Sequence, residues 1–341
     1  MSEAILENEE QTTTINKTAI KEFATSARRK LIERVEMQAL RMGFDKNTLE
    51  PKFEFEDDNE VKINGHIFNK KQVNDLSKNF KDKGFDTVID EVAYTWFNRF
   101  IALYFMEVHN YIDNGLNVVS SLEDINNVAL KAPMYFTKLN KEELFKLVQD
   151  NKTEEVYKML VVAQCNELSS KLPFLFEEIN DYSETLFPAG ILNNDSVIRD
   201  MLALDKSNWN EVEIIGWLYQ YYIAERKDEV FANLKKGKKI SKEDVPAATQ
   251  IFTPKWIVKY MVENSVGKMW LEAHPNTELQ SKFKYYLESA EQEDDVKQKL
   301  NEIIDKNITP ENIKVLDPAC GSGHILVTAF TVLYEIYKSA G

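Results

Sequence analysis

The stretch from Ile313 to Tyr337 constrains this chain most. Ile313-Lys-Val-Leu-Asp317 is a short apolar run ending in an acid, and Pro318-Ala-Cys-Gly-Ser-Gly323 follows it. Ile325, Leu326, Ala329, Phe330, Leu333, Ile336 and Tyr337 then recur at helical spacing. This order predicts a strand, a glycine-rich turn and a helix, the opening unit of a doubly wound α/β sheet whose ligands sit at the carboxyl ends of the strands. Glycines at 321 and 323 permit a sharp turn and bring a ligand against bare backbone, while the amides that start the helix face it. The loop lacks the Gly-Lys-Ser/Thr ending of a Walker loop and the third glycine of a dinucleotide fingerprint, and Ser322 does not fit a Gly-x-Ser-x-Gly nucleophile elbow. Hydrolase and nucleotide readings therefore fail. An ordinary βα turn with a convenient pair of glycines is the plain structural alternative.

Upstream, the chain reads as mainly helical. Ile20, Phe23, Ala27, Leu31, Val35 and Ala39 form one apolar stripe, and Gly43 is placed to stop that helix. Residues 88–105 are apolar on more than one face, as in a helix buried at the centre of a bundle, and further helical patterns fall at 140–150, 153–169, 195–204 and 210–233. Val61-Lys62-Ile63, Gly65 and Ile67-Phe68 fit a small hairpin. Thr253-Pro254 opens another amphipathic helix, with Thr253 as N-cap and Pro254 at the first helical position. The polar stretch 272–312 is expected to be helical and peripheral.

With 341 residues, the chain is long enough for two domains at ~150 residues each. We expect a flexible arm over 1–15, a helical domain over 16–240, and a second domain over 245–341, joined through a basic, Gly- and Pro-containing segment at 235–249. No apolar run approaches the ~20 residues a bilayer requires, and four acids stand in the first ten residues where a signal peptide carries cations. A cytoplasmic address and no membrane contact are the expectation. Cys165 and Cys320 are too few for a disulfide framework, and His66, His109, His274 and His324 show no ligand spacing, so no metal is expected. The net charge of −14 means that any polyanion must be met by local basic islands. Lys235, Lys236, Lys238, Lys239 and Lys242 are one such island, and Arg28, Arg29, Lys30 and Arg34 another; a solvated loop and a solvated helix face are the simpler readings of each. Trp217, Tyr219, Tyr221 and Tyr222 have the spacing of core residues, although bases stack on such rings elsewhere.

Asp317-Pro-Ala-Cys-Gly-Ser-Gly323 resembles the S-adenosylmethionine loop of amino-group DNA methyltransferases, and Phe252-Thr-Pro254 stands where some of them open a cofactor-clamping helix. Ala27–Glu33, Val92–Leu103, Ser196–Leu202, Ile214–Tyr222 and Pro246–Pro254 extend the similarity to the N-terminal part of the PglX family, the adenine-specific DNA methyltransferases of BREX phage defence. The resemblance implies a helical N-terminal domain followed by the start of a Rossmann-like methyltransferase domain. It also implies S-adenosylmethionine as cofactor, held by Phe252, Thr253, Pro254, Asp317, Pro318, Ala319, Cys320, Gly321, Ser322 and Gly323. Double-stranded DNA is the implied substrate, methylated at the exocyclic amine of adenine so that defence tells self from phage, with other BREX proteins and phage DNA-mimic inhibitors as further implied partners.

Adenine methylation needs a flipped base with its weakly nucleophilic amine in line with the methyl donor, which the family achieves with an Asn/Asp-Pro-Pro-aromatic motif. No such motif occurs here: the one Asp-Pro, at 317 and 318, is followed by Ala319-Cys320. The expectation is a fragment with no catalytic residue of its own, inactive alone and at best a weak binder of the cofactor, with the motif downstream of Gly341. Cys320 is expected to be a small residue beneath the cofactor rather than a nucleophile, and His324 a structural contact rather than a base. Two other readings stay open: the methyltransferase of a restriction–modification system, though no nuclease motif is visible, and a non-catalytic module that binds defence partners or a DNA mimic.

Overall fold

A computed structural model describes residues 16–55, 59–112, 115–173, 179, 182–242 and 244–340. The arm expected at 1–15 lies outside them. The chain divides into two compact units, Met1–Glu229 and Val230–Gly341. Both are mainly helical.

In the first unit, α1 (Lys17–Arg41) begins at Asn16, whose side chain accepts from the Ala19 amide at 3.1 Å. Its buried face, Ile20, Phe23, Ala24, Ala27, Leu31, Val35 and Ala39, has three alanines that let neighbouring helices approach closely. The helix stops as expected at Gly43, whose φ of +76° lets the Phe44 amide reach back to the Ala39 carbonyl at 3.0 Å and the Gly43 amide to Leu40 at 2.9 Å. A three-stranded antiparallel sheet follows, β1 (Glu54–Phe55), β2 (Glu60–Ile63) and β3 (His66–Asn69). The expected hairpin is its β2–β3 pair, with Val61 opposite Phe68 and Ile63 opposite His66. Its two-residue turn, Asn64-Gly65, has positive φ at both positions, the backbone that matches strand twist.

Next come α2 (Lys70–Lys83) and α3 (Phe85–Val108). Helix α3 is buried on several faces, as its sequence predicts, and Trp96, Phe97 and Phe100 lie in the core with Phe187 and Tyr222. The unit continues with α4 (Ile125–Lys131), α5 (Lys141–Gln149), α6 (Thr153–Lys171), α7 (Tyr182–Thr185), α8 (Val197–Ala203) and α9 (Glu213–Tyr222). The pattern at 210–233 is two helices, because the chain breaks at Ile223 before α10 (Ala224–Lys235).

In the second unit, α11 (Val245–Thr249) precedes an extended segment, and α12 (Lys255–Val262) runs through a π-helical turn, Glu263–Gly267, into α13 (Lys268–Ala273). Thr253 does not cap α12. Pro254 takes the cap position with an extended ψ of 143° and no side-chain cap bond, so the helix starts one residue later than expected. The π turn aims two polar side chains at residues 285–287: Glu263 accepts from the Tyr285 amide at 2.5 Å, and Asn264 bonds the Tyr285 carbonyl and the Leu287 amide at 2.7 and 2.8 Å. The polar 272–312 stretch is helical only at α14 (Thr277–Lys282) and α15 (Asp294–Ile303). Helix α16 (His324–Ala340) packs Ala329, Val332 and Ile336 onto Val258, Val262, Trp270, Leu271, Leu279 and Phe283.

The strand expected at Ile313–Asp317 is not formed. Ile313 has extended dihedrals, but a strand exists only through a partner, and the second unit has no other strand among the described residues. Leu316 is 87% exposed as a result.

Candidate cofactor site

The loop is built by its two glycines. Gly321 at φ +53° and Gly323 at φ +80° turn the chain in the left-handed region, where a Cβ costs ~1–2 kcal/mol per residue. Space is not what requires them, since a Cβ added at Gly323 meets nothing within 4 Å. The Gly323 amide donates to the Cys320 carbonyl at 2.8 Å, closing the turn, and the Val327 amide returns to Gly323 at 2.9 Å to start α16. Asp317 opens the loop with one carboxylate oxygen accepting from the Ala319 amide at 3.0 Å. Its other oxygen is buried and has no hydrogen-bond partner among the described residues. A buried acceptor left unpaired costs ~1–3 kcal/mol, so Oδ2 is an acceptor awaiting a donor.

Phe252, far away in sequence, comes to this loop. Its ring is buried and stacks on His324, the first residue of α16, with centroids 4.8 Å apart and planes 9° from parallel. Thr253 and Pro254 follow, half-buried, and lead into α12, which packs on α16 through the core. The structure thus brings Phe252 to His324, the residue that directly follows the 317–323 loop at the start of α16. Pro318, Ala319, Cys320, Gly321 and Ser322 are exposed, so the backbone of the loop is open to a ligand.

The two cysteines differ sharply. Burial pushes the Cys165 thiol in the first unit up to about 12, which makes it inert, whereas Cys320 is exposed. The contribution of His324 is a contact that sequence reasoning placed only as structural; its signal was an aromatic-capable ring directly after Gly323. The lysines Lys235, Lys236, Lys238, Lys239 and Lys242 are all exposed. The helix cations are spoken for: Arg28 pairs with Asp90 at 2.6 Å, Lys30 with Asp200 at 2.6 Å, Arg34 with Asp195 at 2.7 Å and Arg29 with Glu225 at 3.4 Å. Three of them tie α1 to α3, α8 and α10, and Arg34 ties it to the turn before α8. Tyr222 and Trp217 are core residues, with Tyr222 4.3 Å from Phe97 and in contact with Tyr94.

Among the described residues, no helix is long and apolar enough to cross a membrane, and no group of three His, Cys, Asp or Glu side chains is arranged to hold a metal.

No family model matches the chain. It is 42% identical over 273 residues to the adenine-specific methyltransferase BrxX of Escherichia coli O9:H4 (strain HS), a match covering 78% of this chain and 22% of that protein. It is 35% identical over 366 residues to the adenine-specific methyltransferase PglX of Lacticaseibacillus casei (strain Zhang), covering 96% of this chain and 30% of that one. The chain spans less than a third of the length of these curated relatives, and over that span it belongs to the family of PglX and BrxX adenine-specific methyltransferases.

Proposed function

We propose that this chain carries the S-adenosylmethionine site of a DNA adenine methyltransferase acting in BREX phage defence, in the cytoplasm, on double-stranded DNA. The observation that carries the reading is the stacking of Phe252, the first residue of Phe252-Thr-Pro254, on His324 directly after the Asp317–Gly323 loop, in a chain whose relatives are named adenine-specific methyltransferases. The residues fit the cofactor. Asp317 offers a buried, unpaired carboxylate oxygen to a hydroxyl or amine, and the left-handed backbone at Gly321 and Gly323 lets a ligand lie against amides without meeting a side chain. Bound S-adenosylmethionine supplies an electrophilic methyl group. The chain's own residues bind and orient: Asp317 holds a donor, residues 318–323 form the floor, and Phe252, Thr253 and Pro254 form a wall fixed by the ring stack.

The finer fold assignment belongs to the same proposal. Ile313–Asp317, which pairs with no strand among the described residues, and α16 are read as standing at the sequence positions of the first strand and helix of a Rossmann-like domain that starts near 245, after a helical domain over 16–240. The exposed lysines at 235–242 are read as phosphate contacts at the joint, which would make DNA affinity fall with salt. The amine-orienting chemistry requires an Asn/Asp-Pro-Pro-aromatic motif that this sequence does not contain.

The test is made on the protein expressed from its native gene. Host DNA is expected to carry methylated adenine at one short site, and Asp317→Ala to remove it. Unmodified adenine in the wild type, or full modification in the variant, would overturn the reading.

A further inference from the structure

We propose that the Phe252–His324 stack is a positioning device that couples the 250–254 segment to the Asp317–Gly323 loop, each holding the other in its ligand-ready form. The proposal rests on the S-adenosylmethionine reading only for the identity of the ligand. Three observations lead to it. First, the rings are nearly parallel, 9° apart at 4.8 Å, and Phe252 is buried while its neighbour Ile251 is 74% exposed, so the Phe252 side chain is an anchor of the segment. Second, residues 250–253 belong to neither helix nor strand. Third, the stack is not part of the core that holds this unit. The helices that follow the two segments, α12 and α16, meet through Val258, Val262, Ala329 and Val332, and Phe252 is outside that cluster.

Offset aromatic stacks add a modest, geometry-specific stabilisation beyond burial. Here it acts where two short segments of irregular backbone converge, directly after Gly323 in its left-handed conformation. His324 and Phe252 are therefore positioning residues: neither needs to touch the reacting atoms, and both set where the loop amides and the Thr253-Pro254 wall stand relative to each other. A residue that merely fills space would be replaceable by any apolar side chain. A stacking residue is replaceable only by another flat ring.

The experiment follows hydrogen–deuterium exchange of the full chain by peptide mass, with S-adenosylmethionine titrations in parallel, for wild type, His324→Ala, His324→Phe and Phe252→Ala. In His324→Ala, exchange over 250–254 is expected to quicken about 3- to 10-fold, and in Phe252→Ala the same is expected over 319–327. Peptides over 329–336, in the core, should not change. Cofactor affinity should fall by a similar factor in both alanine variants. His324→Phe should restore both readouts to within about 2-fold. Unchanged exchange over 250–254 in His324→Ala overturns the proposal, as does failure of the phenylalanine to rescue while core peptides stay protected. If exchange is coupled but wild type does not bind S-adenosylmethionine, the coupling stands and the cofactor reading falls; if the cofactor binds and exchange is uncoupled, the reverse holds.

Discussion

The two units bury their apolar residues to different degrees. The first surrounds Trp96, Phe97, Phe100, Trp209 and Tyr222 completely and ties α1 to its neighbours with ion pairs from Arg28, Lys30 and Arg34. The second has a smaller core and leaves Leu316 87%, Ile251 74%, Phe330 70% and Trp256 57% exposed among the described residues. The proposed cofactor loop, Asp317–Gly323, lies in the less buried unit. On the proposed assignment, stability and ligand binding fall to different parts of the chain, as expected where ligand loops are drawn from regions of low local stability.

The sharpest way to break this contrast is to cut into the first core. Trp96 is fully buried, stacks edge-on against Phe187 at 4.7 Å and donates its indole N–H to the Ser183 carbonyl at 3.0 Å. Trp96→Ala is expected to cost ~3–5 kcal/mol in denaturant unfolding. A loss below about 1 kcal/mol would mean that the first unit is not the stable one.

A pH titration sharpens the comparison next. Glu107 is buried beneath the 118–120 loop, accepting from the Val119 and Ser120 amides at 2.7 and 3.0 Å, and burial raises its carboxyl from 4.5 to about 7 despite those bonds. The folded form therefore holds its proton where the unfolded chain has released it. Stability of the first unit should fall as pH rises from about 4.5 to about 7, by on the order of 3 kcal/mol, and then level off. Glu107→Gln should flatten that slope; an unchanged slope would assign it to another group.

Gly267→Ala probes the second core. Its added Cβ would stand 3.0 Å from the Phe283 ring, where a rigid aromatic cannot yield cheaply. We expect ~1–3 kcal/mol of destabilisation, confined to the second unit. The smallest effect is expected at the exposed apolar positions. Phe330→Ser, at 70% exposure, should change stability by no more than ~0.5 kcal/mol, and a larger loss would show that the second unit's apolar surface is covered in solution.

Much of this was legible in the sequence wherever a local signal sufficed. The α1 stripe and its Gly43 stop, the all-round apolar α3 and the Asn64-Gly65 hairpin each follow from a few consecutive residues. Helix α2 was missed although Val73, Leu76 and Phe80 have helical spacing and Asn69 caps it, because its polar majority masks the stripe. The break at Ile223 has no glycine or proline to announce it. What sequence spacing does not contain is pairing over distance. Ile313–Asp317 needs a strand partner that no neighbouring residue supplies, and the Phe252–His324 contact joins positions that only the fold brings together. The loop itself was legible because positive φ leaves a mark in composition, as glycine at 321 and 323.

The most direct test of the central claim is calorimetric titration of S-adenosylmethionine into the protein and into Asp317→Ala. Removing a hydrogen bond to a charged acceptor costs ~1.5–3 kcal/mol, so the variant is expected to bind at least about 10-fold more weakly than wild type. Equal affinity in the two proteins, or no binding in either, would contradict the assignment of the Asp317–Gly323 loop as the cofactor site.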